Sequence, residues 1–283
     1  MPGAPEPEYV LARKVLLDAL EALGEQREAV VLVGAQAIYL HTGDAELAVA
    51  PYTTDGDVAL DPDRLRDDPR LAEALKEAGF AADAEHVGTW IKSRPLEGRP
   101  VEVKIDLMVP EAVGGPGRRG ARLGPHGNRA ARKARGLEAT LVDQQRRKVE
   151  SLADGDARAF EVAVAGPSAL LVAKLHKIHE RIGSPGRRED KDALDVLRIL
   201  RAVPLGTLVE GTGALMNEEM SSQVTEEAHS FLRDLFSEPT RAGCQMAARA
   251  ATPLESGDTI AASCAFLTQD LLSAVSRARG TNG

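Results

Sequence analysis

Two acidic residues, Asp55 and Asp57, have the type and spacing that metal-assisted chemistry needs. They lie in TTDGDVALD, whose alternation predicts a strand over 53–60. Because side chains two positions apart leave the same face of a strand, the two carboxylates repel unless a cation or a basic group lies between them. By itself such a pair is also common on a polar edge strand.

A third acid, Asp106, lies within the apolar strand pattern VEVKIDLMV. Glu102, Lys104 and Asp106 would share one face of this strand, and the odd-numbered apolar residues would line the other. Next to the first strand, Asp106 would complete a cluster of three carboxylates. Oxygen ligands of this kind bind Mg²⁺ or Mn²⁺ together with substrate phosphates, and two such ions can activate an attacking oxygen and stabilise a leaving pyrophosphate. We therefore predict Asp55, Asp57 and Asp106 as catalytic metal ligands.

Upstream, AVVLVG predicts a buried strand that turns at Gly34 into a helix, AQAIYLH. The first turn of a helix offers free N–H groups and the positive end of the helix dipole, and both suit an anion. This turn is therefore a candidate binding site for the phosphates of a nucleoside triphosphate.

The order of these three segments resembles the signature of the nucleotidyltransferase (DNA polymerase β-like) superfamily. The segments are VLVGAQAIYLH, TTDGDVAL and VEVKIDLM. The helical half is similar to the lysine and aspartate motifs of the AbiEii/MenT group, the nucleotidyltransferase toxins of toxin–antitoxin pairs. The two segments that carry this similarity are PSALLVAKLHKIHERI and, after it, RREDKDALDVLRIL. The resemblance covers roughly residues 30–200.

The resemblance implies a role for several residues. Lys174 matches the lysine that contacts the triphosphate, and Asp192 matches the last acidic motif. The family usually has a serine or glycine where this chain has Ala35, so phosphate contact there would rest on backbone N–H groups. The predicted catalytic residues are Asp55, Asp57, Lys174, Asp192 and Asp106. The predicted substrate-binding residues are Gly34, Ala35, Thr54, Arg181 and Arg187.

Each residue of the helical motifs also has a simpler interpretation. Lys174 could be a surface lysine, and Arg181 and Arg187 could be solvated. Asp192 and Asp195 could be ordinary acids on a helix surface, paired with Lys191 or with Arg198.

Charge is uneven along the chain, whose formal net charge is −8. Residues 113–149 hold ten basic and two acidic residues, a local net charge of +8. Glycines at 114, 115, 117 and 120 predict a mobile loop, not a helix, in the first half of this segment. The whole basic segment is either a solvated surface insertion or a binding surface for a polyanion such as RNA.

The element pattern predicts an α/β (α+β) fold, with a nucleotidyltransferase-like mixed sheet and flanking helices followed by an all-helical C-terminal domain. Helices are predicted over 7–23 and 67–78, and the pattern stays helical from Ser168 onward. The predicted domains are a catalytic domain at 1–165, with the basic insertion near 113–149, and a helical domain at 166–283 that contributes Lys174 and Asp192.

Composition excludes several classes of protein. Two cysteines cannot build a four-ligand zinc site, and 3% aromatic residues disfavour a base-stacking platform. The sequence contains neither a G-x-x-x-x-G-K-[ST] loop nor a G-x-S-x-G motif. No apolar run approaches the roughly 20 residues that cross a bilayer, so we expect a cytoplasmic protein with no membrane partner.

Together these features predict a metal-dependent nucleotidyltransferase that uses an NTP with Mg²⁺ or Mn²⁺. The resemblance implies the toxin of a toxin–antitoxin pair, with an antitoxin partner and with RNA, at the tRNA 3′ end, as acceptor. Two alternatives remain open. A same-fold enzyme acting on a small molecule or a protein hydroxyl should keep its rate when residues 118–135 are deleted. A non-catalytic nucleotide-binding protein should keep its cellular effect in Asp57→Asn.

Overall fold

The structure, a computed structural model, describes residues 6–43, 55–184, 190–252 and 255–280. The predicted binding residues Thr54 and Arg187 lie outside these ranges. Contacts divide the chain into two compact units. The sheet unit comprises Met1–Ala37, Tyr52–Ala134 and Gln144–Ala165, and the helical unit comprises Ile38–Pro51, Arg135–Asp143 and Gly166–Gly283. The predicted mixed α/β fold with a C-terminal helical region is confirmed.

All described strands of the sheet unit belong to one mixed sheet. In chain order they are β1 (Val30–Val33), β2 (Asp55–Leu60), β3 (Ala81–Ala82), β4 (Thr89–Leu96), β5 (Arg99–Pro110), β6 (Arg132–Ala134), β7 (Gln144–Glu150) and β8 (Ala159–Ala165). The order across the sheet is β3-β4-β5-β2-β1-β8-β7, and β6 pairs with β5. Strand β2 runs parallel to β5 and antiparallel to β1, so the strand that carries Asp55 and Asp57 is central.

Helix α1 (Pro7–Leu23) covers one face of this sheet. Its leucines and valines recur at helical spacing, and Leu16 is fully buried. Gly56 faces this core, since a Cβ there would lie 2.7 Å from Cδ1 of Ile105 and 3.4 Å from Cδ1 of Leu16. Because side chains alternate along a strand, Asp55 and Asp57 lie on the opposite face from α1.

Helix α3 spans Leu71–Glu77. The predicted start at Asp67 is therefore wrong by four residues. Pro69 explains the difference, because a proline disfavours helical backbone in the residue before it and supplies no N–H.

The basic segment 113–149 has more structure than its glycines predict. Its first half holds no α-helix, as expected, although it contains a 3₁₀ turn at Gly124–His126. The N–H of Ala121 donates to the carbonyl of Ala131 at 3.0 Å, and the N–H of Lys133 donates to the carbonyl of Arg119 at 2.7 Å. These bonds tie the segment to β6, which pairs with the end of β5. The expected mobile loop is instead anchored to the sheet.

The helical unit contains the second half of α2 (Gly34–Thr42) and the α-helices that follow α3. These are α4 (Glu138–Val142), α5 (Pro167–Ile182), α6 (Asp190–Ala202), α7 (Leu205–Asn217), α8 (Ser222–Phe236), α9 (Ala242–Ala251) and α10 (Gly257–Gly280). Among the described helices, α10 alone is long and apolar enough to cross a membrane by length and composition. That is weak support for a span, because a core helix passes the same test, and α10 packs against α7, α8 and α9.

Candidate active site

The first candidate cluster lies on β2 and β5 of the sheet unit. In the register of these parallel strands Asp57 is the direct partner of Asp106, and Asp55 is the partner of Lys104. Partners in a ladder share a face, so the structure brings Asp57 and Asp106 side by side. All three predicted acids are half-buried. Glu102 and Lys104 are exposed while Val103, Ile105 and Leu107 are buried, which confirms the predicted polar face of β5.

Gly34 begins α2 directly beside Asp57. It has a φ of +68°, which side-chain-bearing residues rarely adopt, and a Cβ built on it would lie 2.0 Å from Oδ2 of Asp57. Only glycine allows the chain to turn here with the carboxylate in place. The positive end of the α2 dipole therefore lies next to the carboxylate of Asp57. Ala35, the following residue, is buried.

Two buried residues that sequence reasoning missed fix the backbone of Asp55. Gln36, on the first turn of α2, donates from Nε2 to the carbonyl of Asp55 at 3.2 Å. Arg13 of α1 donates from Nε to Oε1 of Gln36 at 2.8 Å and from Nη1 to the carbonyl of Glu150 at 3.1 Å. A charged residue in the middle of the apolar α1 pattern was the available signal for this network.

The carboxylate of Asp106 is held by two neighbours. Oδ1 accepts a 2.6 Å bond from the hydroxyl of Thr89, and Oδ2 forms a 3.1 Å ion pair with Nη2 of Arg132. Both partners come from strands that pair with β5, namely β4 and β6. The charge of Asp106 is therefore already compensated by Arg132, and the carboxylate would have to give up these contacts to bind a metal ion.

The side chain of Asp57, in contrast, makes neither a hydrogen bond nor an ion pair with the described residues. Within the same ranges no group of three or more His, Cys, Asp or Glu side chains could hold a metal ion. Mg²⁺ commonly binds one or two carboxylates and takes its remaining ligands from water and substrate phosphates. Asp55 and Asp57 fit such an ion, because they are oxygen donors two positions apart on one strand face.

The second candidate cluster lies between α5 and α6 of the helical unit. Nζ of Lys174 lies 2.7 Å from Oδ1 of Asp192 and 2.8 Å from Oδ2 of Asp195. Asp192 also pairs with Nζ of Lys177 at 3.0 Å. Its second carboxylate oxygen, Oδ2, lies 3.9 Å from Nη1 of Arg181. Lys174, Lys177 and Arg181 are three, four and seven positions apart, so they share one face of α5. The predicted residues Lys174, Asp192 and Arg181 are thus brought together.

Burial and charge act against each other in this cluster. Lys174, Asp192 and Asp195 are all buried. Burial opposes the charge of Lys174, but the two aspartates outweigh it and raise the pKa of this lysine above its usual value. Burial likewise opposes the charge of Asp192, and Lys174 and Lys177 outweigh it and lower the pKa of Asp192. The cluster is therefore a charged network held together at neutral pH.

Arg198 and Tyr39 extend the network. Nη1 of Arg198 lies 2.7 Å from Oδ1 of Asp195 and 3.2 Å from the hydroxyl of Tyr39. Burial, reinforced by Asp195, raises the pKa of Tyr39 to about 12. The interpretation of Asp192 and Asp195 as surface acids is wrong, because both are buried, although the expected pairing of Asp195 with Arg198 is confirmed. Tyr39 was missed, since nothing in its local sequence indicates a partner so far along the chain.

Comparison with known families identifies the class of protein. The family model described as Nucleotidyltransferase matches residues 13–203, more than half of the chain. The chain therefore belongs to this nucleotidyltransferase family and is a nucleotidyltransferase enzyme. It matches none of the curated proteins and none of the solved structures with which it was compared. The matched range begins at Arg13 and includes both clusters.

Proposed function

We propose that this protein transfers a nucleotide from an NTP to an RNA acceptor, at the 3′ end of tRNA, with Mg²⁺ or Mn²⁺ as cofactor. The observation that carries the proposal is the contact of Gly34 with Asp57. It places the first turn of a helix, which favours phosphate, beside a carboxylate that has no described protein partner. A site for a metal-bound triphosphate needs both features.

In the proposed reaction the acceptor hydroxyl oxygen forms a bond to the α-phosphorus of the NTP. The bond from that phosphorus to the oxygen bridging to the β-phosphate breaks, and pyrophosphate leaves with the electron pair. When bound, the metal supplies charge neutralisation at the phosphates. Asp55 and Asp57 would hold it, Gly34 and Ala35 would offer backbone N–H groups to phosphate, and Gln36 keeps the backbone of Asp55 in place. The hydroxyl proton passes to solvent or to a carboxylate, for which Asp106 would first have to release Arg132.

Lys174 and Asp192 are proposed to act in the same reaction as the groups that orient the triphosphate. Two buried carboxylates hold Lys174 in a fixed place, and fixed charges stabilise a transition state without reorganising. Arg181 is proposed to contact phosphate from the more exposed end of the cluster, where its side chain is 22% exposed.

The RNA acceptor, the antitoxin partner and the toxin role rest on other grounds. The +8 segment 113–149 on a chain of net charge −8 supports a polyanionic acceptor. The resemblance of the α5 and α6 motifs to the AbiEii/MenT group supports tRNA, an antitoxin and a cytoplasmic toxin.

The test supplies each of the four α-labelled NTPs to the purified protein with total tRNA and Mg²⁺. Label in tRNA that depends on the metal is the expected result. If tRNA stays unlabelled with all four nucleotides, the acceptor is wrong, and labelled proteins or small molecules would then identify the acceptor class.

A further inference from the structure

The basic segment lines an open surface cavity of about 460 Å³ in the sheet unit. Three arginines line it, together with an asparagine, two glycines, a proline and a valine. These residues are Val87, Pro116, Gly117, Arg118, Gly120, Arg122, Asn128 and Arg129. No acidic side chain lines the cavity, so its walls carry only positive charge.

Most basic residues of the segment already have protein partners, but the arginines of the cavity do not. Arg132 pairs with Asp106, Arg135 with Glu227, Arg146 with Glu28 and Lys148 with Glu150, while Lys133 donates to the carbonyls of Gly115 and Gly117. Within the described ranges Arg118, Arg119, Arg122 and Arg129 form neither salt bridges nor side-chain hydrogen bonds. In a protein with an excess of acidic residues, three of these four unpaired arginines line the cavity.

The backbone around the cavity is fixed in shape. A Cβ on Gly120 would lie 2.0 Å from the carbonyl oxygen of Asn128, so the two sides of the loop meet there without room for a side chain. The N–H of Arg122 donates to the carbonyl of Gly114 at 2.9 Å. Gly117 has a φ of +110° and open space where a Cβ would be. A ligand therefore meets preformed walls.

One wall of the cavity lies near the acidic cluster. Gly88 donates to the carbonyl of Arg129 at 3.3 Å, and its own carbonyl accepts from the N–H of Leu107 at 2.8 Å. The next residue, Thr89, donates to Asp106 at 2.6 Å. Since two residues of chain span at most about 7 Å, the wall at Val87 lies close to the residue that binds Asp106.

We propose that Arg118, Arg122 and Arg129 form a phosphate subsite that holds the sugar–phosphate backbone of a single-stranded RNA acceptor beside the acidic cluster. This inference rests on the proposed function and assigns it a binding surface. Guanidinium groups bind phosphate oxygens through paired N–H donors, and three of them around one cavity suit successive phosphates of a strand. The triphosphate of the NTP carries the same chemistry and is the alternative source of phosphate.

The test compares wild type with the triple variant Arg118→Gln/Arg122→Gln/Arg129→Gln. The matched control is Arg119→Gln, an unpaired arginine of the same segment that does not line the cavity. Binding of a fluorescent single-stranded RNA is measured by anisotropy over a range of salt concentrations, and binding of each NTP is measured separately. All three substituted side chains are exposed, so the substitutions should not disturb the fold. Melting temperatures equal to that of wild type would confirm that the variants fold.

We expect the triple variant to bind RNA at least about tenfold more weakly. The slope of log affinity against log salt should fall by about 2, since each lost phosphate contact removes about 0.7 on single strands. Affinity for NTP should stay within twofold of wild type, and Arg119→Gln should match wild type in both assays. Unchanged RNA affinity in the triple variant, or no RNA binding by wild type, would overturn the proposal. A loss of NTP affinity instead would assign the cavity to the triphosphate and also overturn it.

Nucleotide transfer distinguishes this inference from the proposed function. Suppose that wild type transfers label to RNA and that the triple variant needs at least about tenfold more RNA for its half-maximal rate. The phosphate subsite and the proposed function are then both supported. If wild type binds RNA through these arginines but transfers nothing, the subsite stands and the proposed function fails.

Discussion

The ammonium of Lys174 lies 2.7 Å from the carboxylate of Asp192, although the two residues are 18 positions apart on different helices. Asp195 binds the same ammonium at 2.8 Å. Two buried anions thus share one buried cation, and Lys177 and Arg198 supply further positive charge at the edges. The arrangement joins α5 to α6 and makes the stability of the helical unit depend on charge pairing.

Lys174→Met should lower the free energy of unfolding by up to about 3–5 kcal/mol, because it removes the buried cation that Asp192 and Asp195 share and leaves them with Lys177 and Arg198 alone. Urea unfolding measures the change. The exposed Lys14→Met on α1 should change stability by less than about 0.5 kcal/mol and is the control. Lys174→Met/Asp192→Asn should be more stable than Lys174→Met alone, since it removes one of the two buried negative charges that Lys174 no longer compensates. A double variant no more stable than the single one would contradict the pairing described above.

Gly34→Ala should abolish most activity, whereas Gly98→Ala should not. Both glycines have a positive φ, +68° and +79°, so both alanines should cost about 1 kcal/mol of stability through backbone strain. Only at residue 34 would the added Cβ displace the carboxylate of Asp57, because nothing lies within 4 Å of a Cβ at residue 98. Rates of transfer for the two variants, corrected for the folded fraction, check this. Equal rates would show that the contact of Gly34 with Asp57 has no role in the reaction.

Acid should destabilise the sheet unit through Asp18 of α1. This buried carboxylate binds Lys92, Arg94 and Arg158 at 2.7–2.8 Å. Burial opposes its charge, but hydrogen bonds from these cations outweigh burial and lower the pKa of Asp18 to about 2. A lowered folded-state pKa adds stability that is complete above the unfolded value of 3.8 and is lost as the pH falls toward 2.

Asp18→Asn should therefore be less stable than wild type at pH 6. The difference in unfolding free energy should narrow by about 1–2 kcal/mol between pH 5 and pH 2. Unfolding by urea at several pH values measures this narrowing. A difference that stays constant down to pH 2 would show that Asp18 does not titrate as the ion pairs require.

The sequence predicts the acidic strands well because their signals are local. Alternation places Asp55 and Asp57 on one face, and Gly34 marks a strand-to-helix turn. The register that makes Asp57 the partner of Asp106 is different, since it depends on a strand pairing between segments about 50 residues apart. The motif order indicated that pairing through resemblance, and the local pattern alone did not.

The helical cluster, in contrast, is poorly predicted by its local sequence. Asp192 and Asp195 resemble surface acids in a charged sequence, yet both are buried, because Lys174 on the neighbouring helix compensates them. No local pattern reveals a partner on another helix. Lys174 between apolar neighbours was the one available signal that this face is buried.

The most direct test of the central claim follows both ends of the nucleotide in wild type and in Asp57→Asn. With Mg²⁺ and tRNA, wild type should attach the α-labelled phosphate to RNA and release the γ label in pyrophosphate. Asp57→Asn should lose at least about 100-fold in rate, the scale seen when one charge-stabilising group is removed from a transition state. The exposed Asp63→Asn should keep the wild-type rate. Transfer of the γ label to an acceptor, or full activity in Asp57→Asn, would contradict nucleotidyl transfer at this pair of strands.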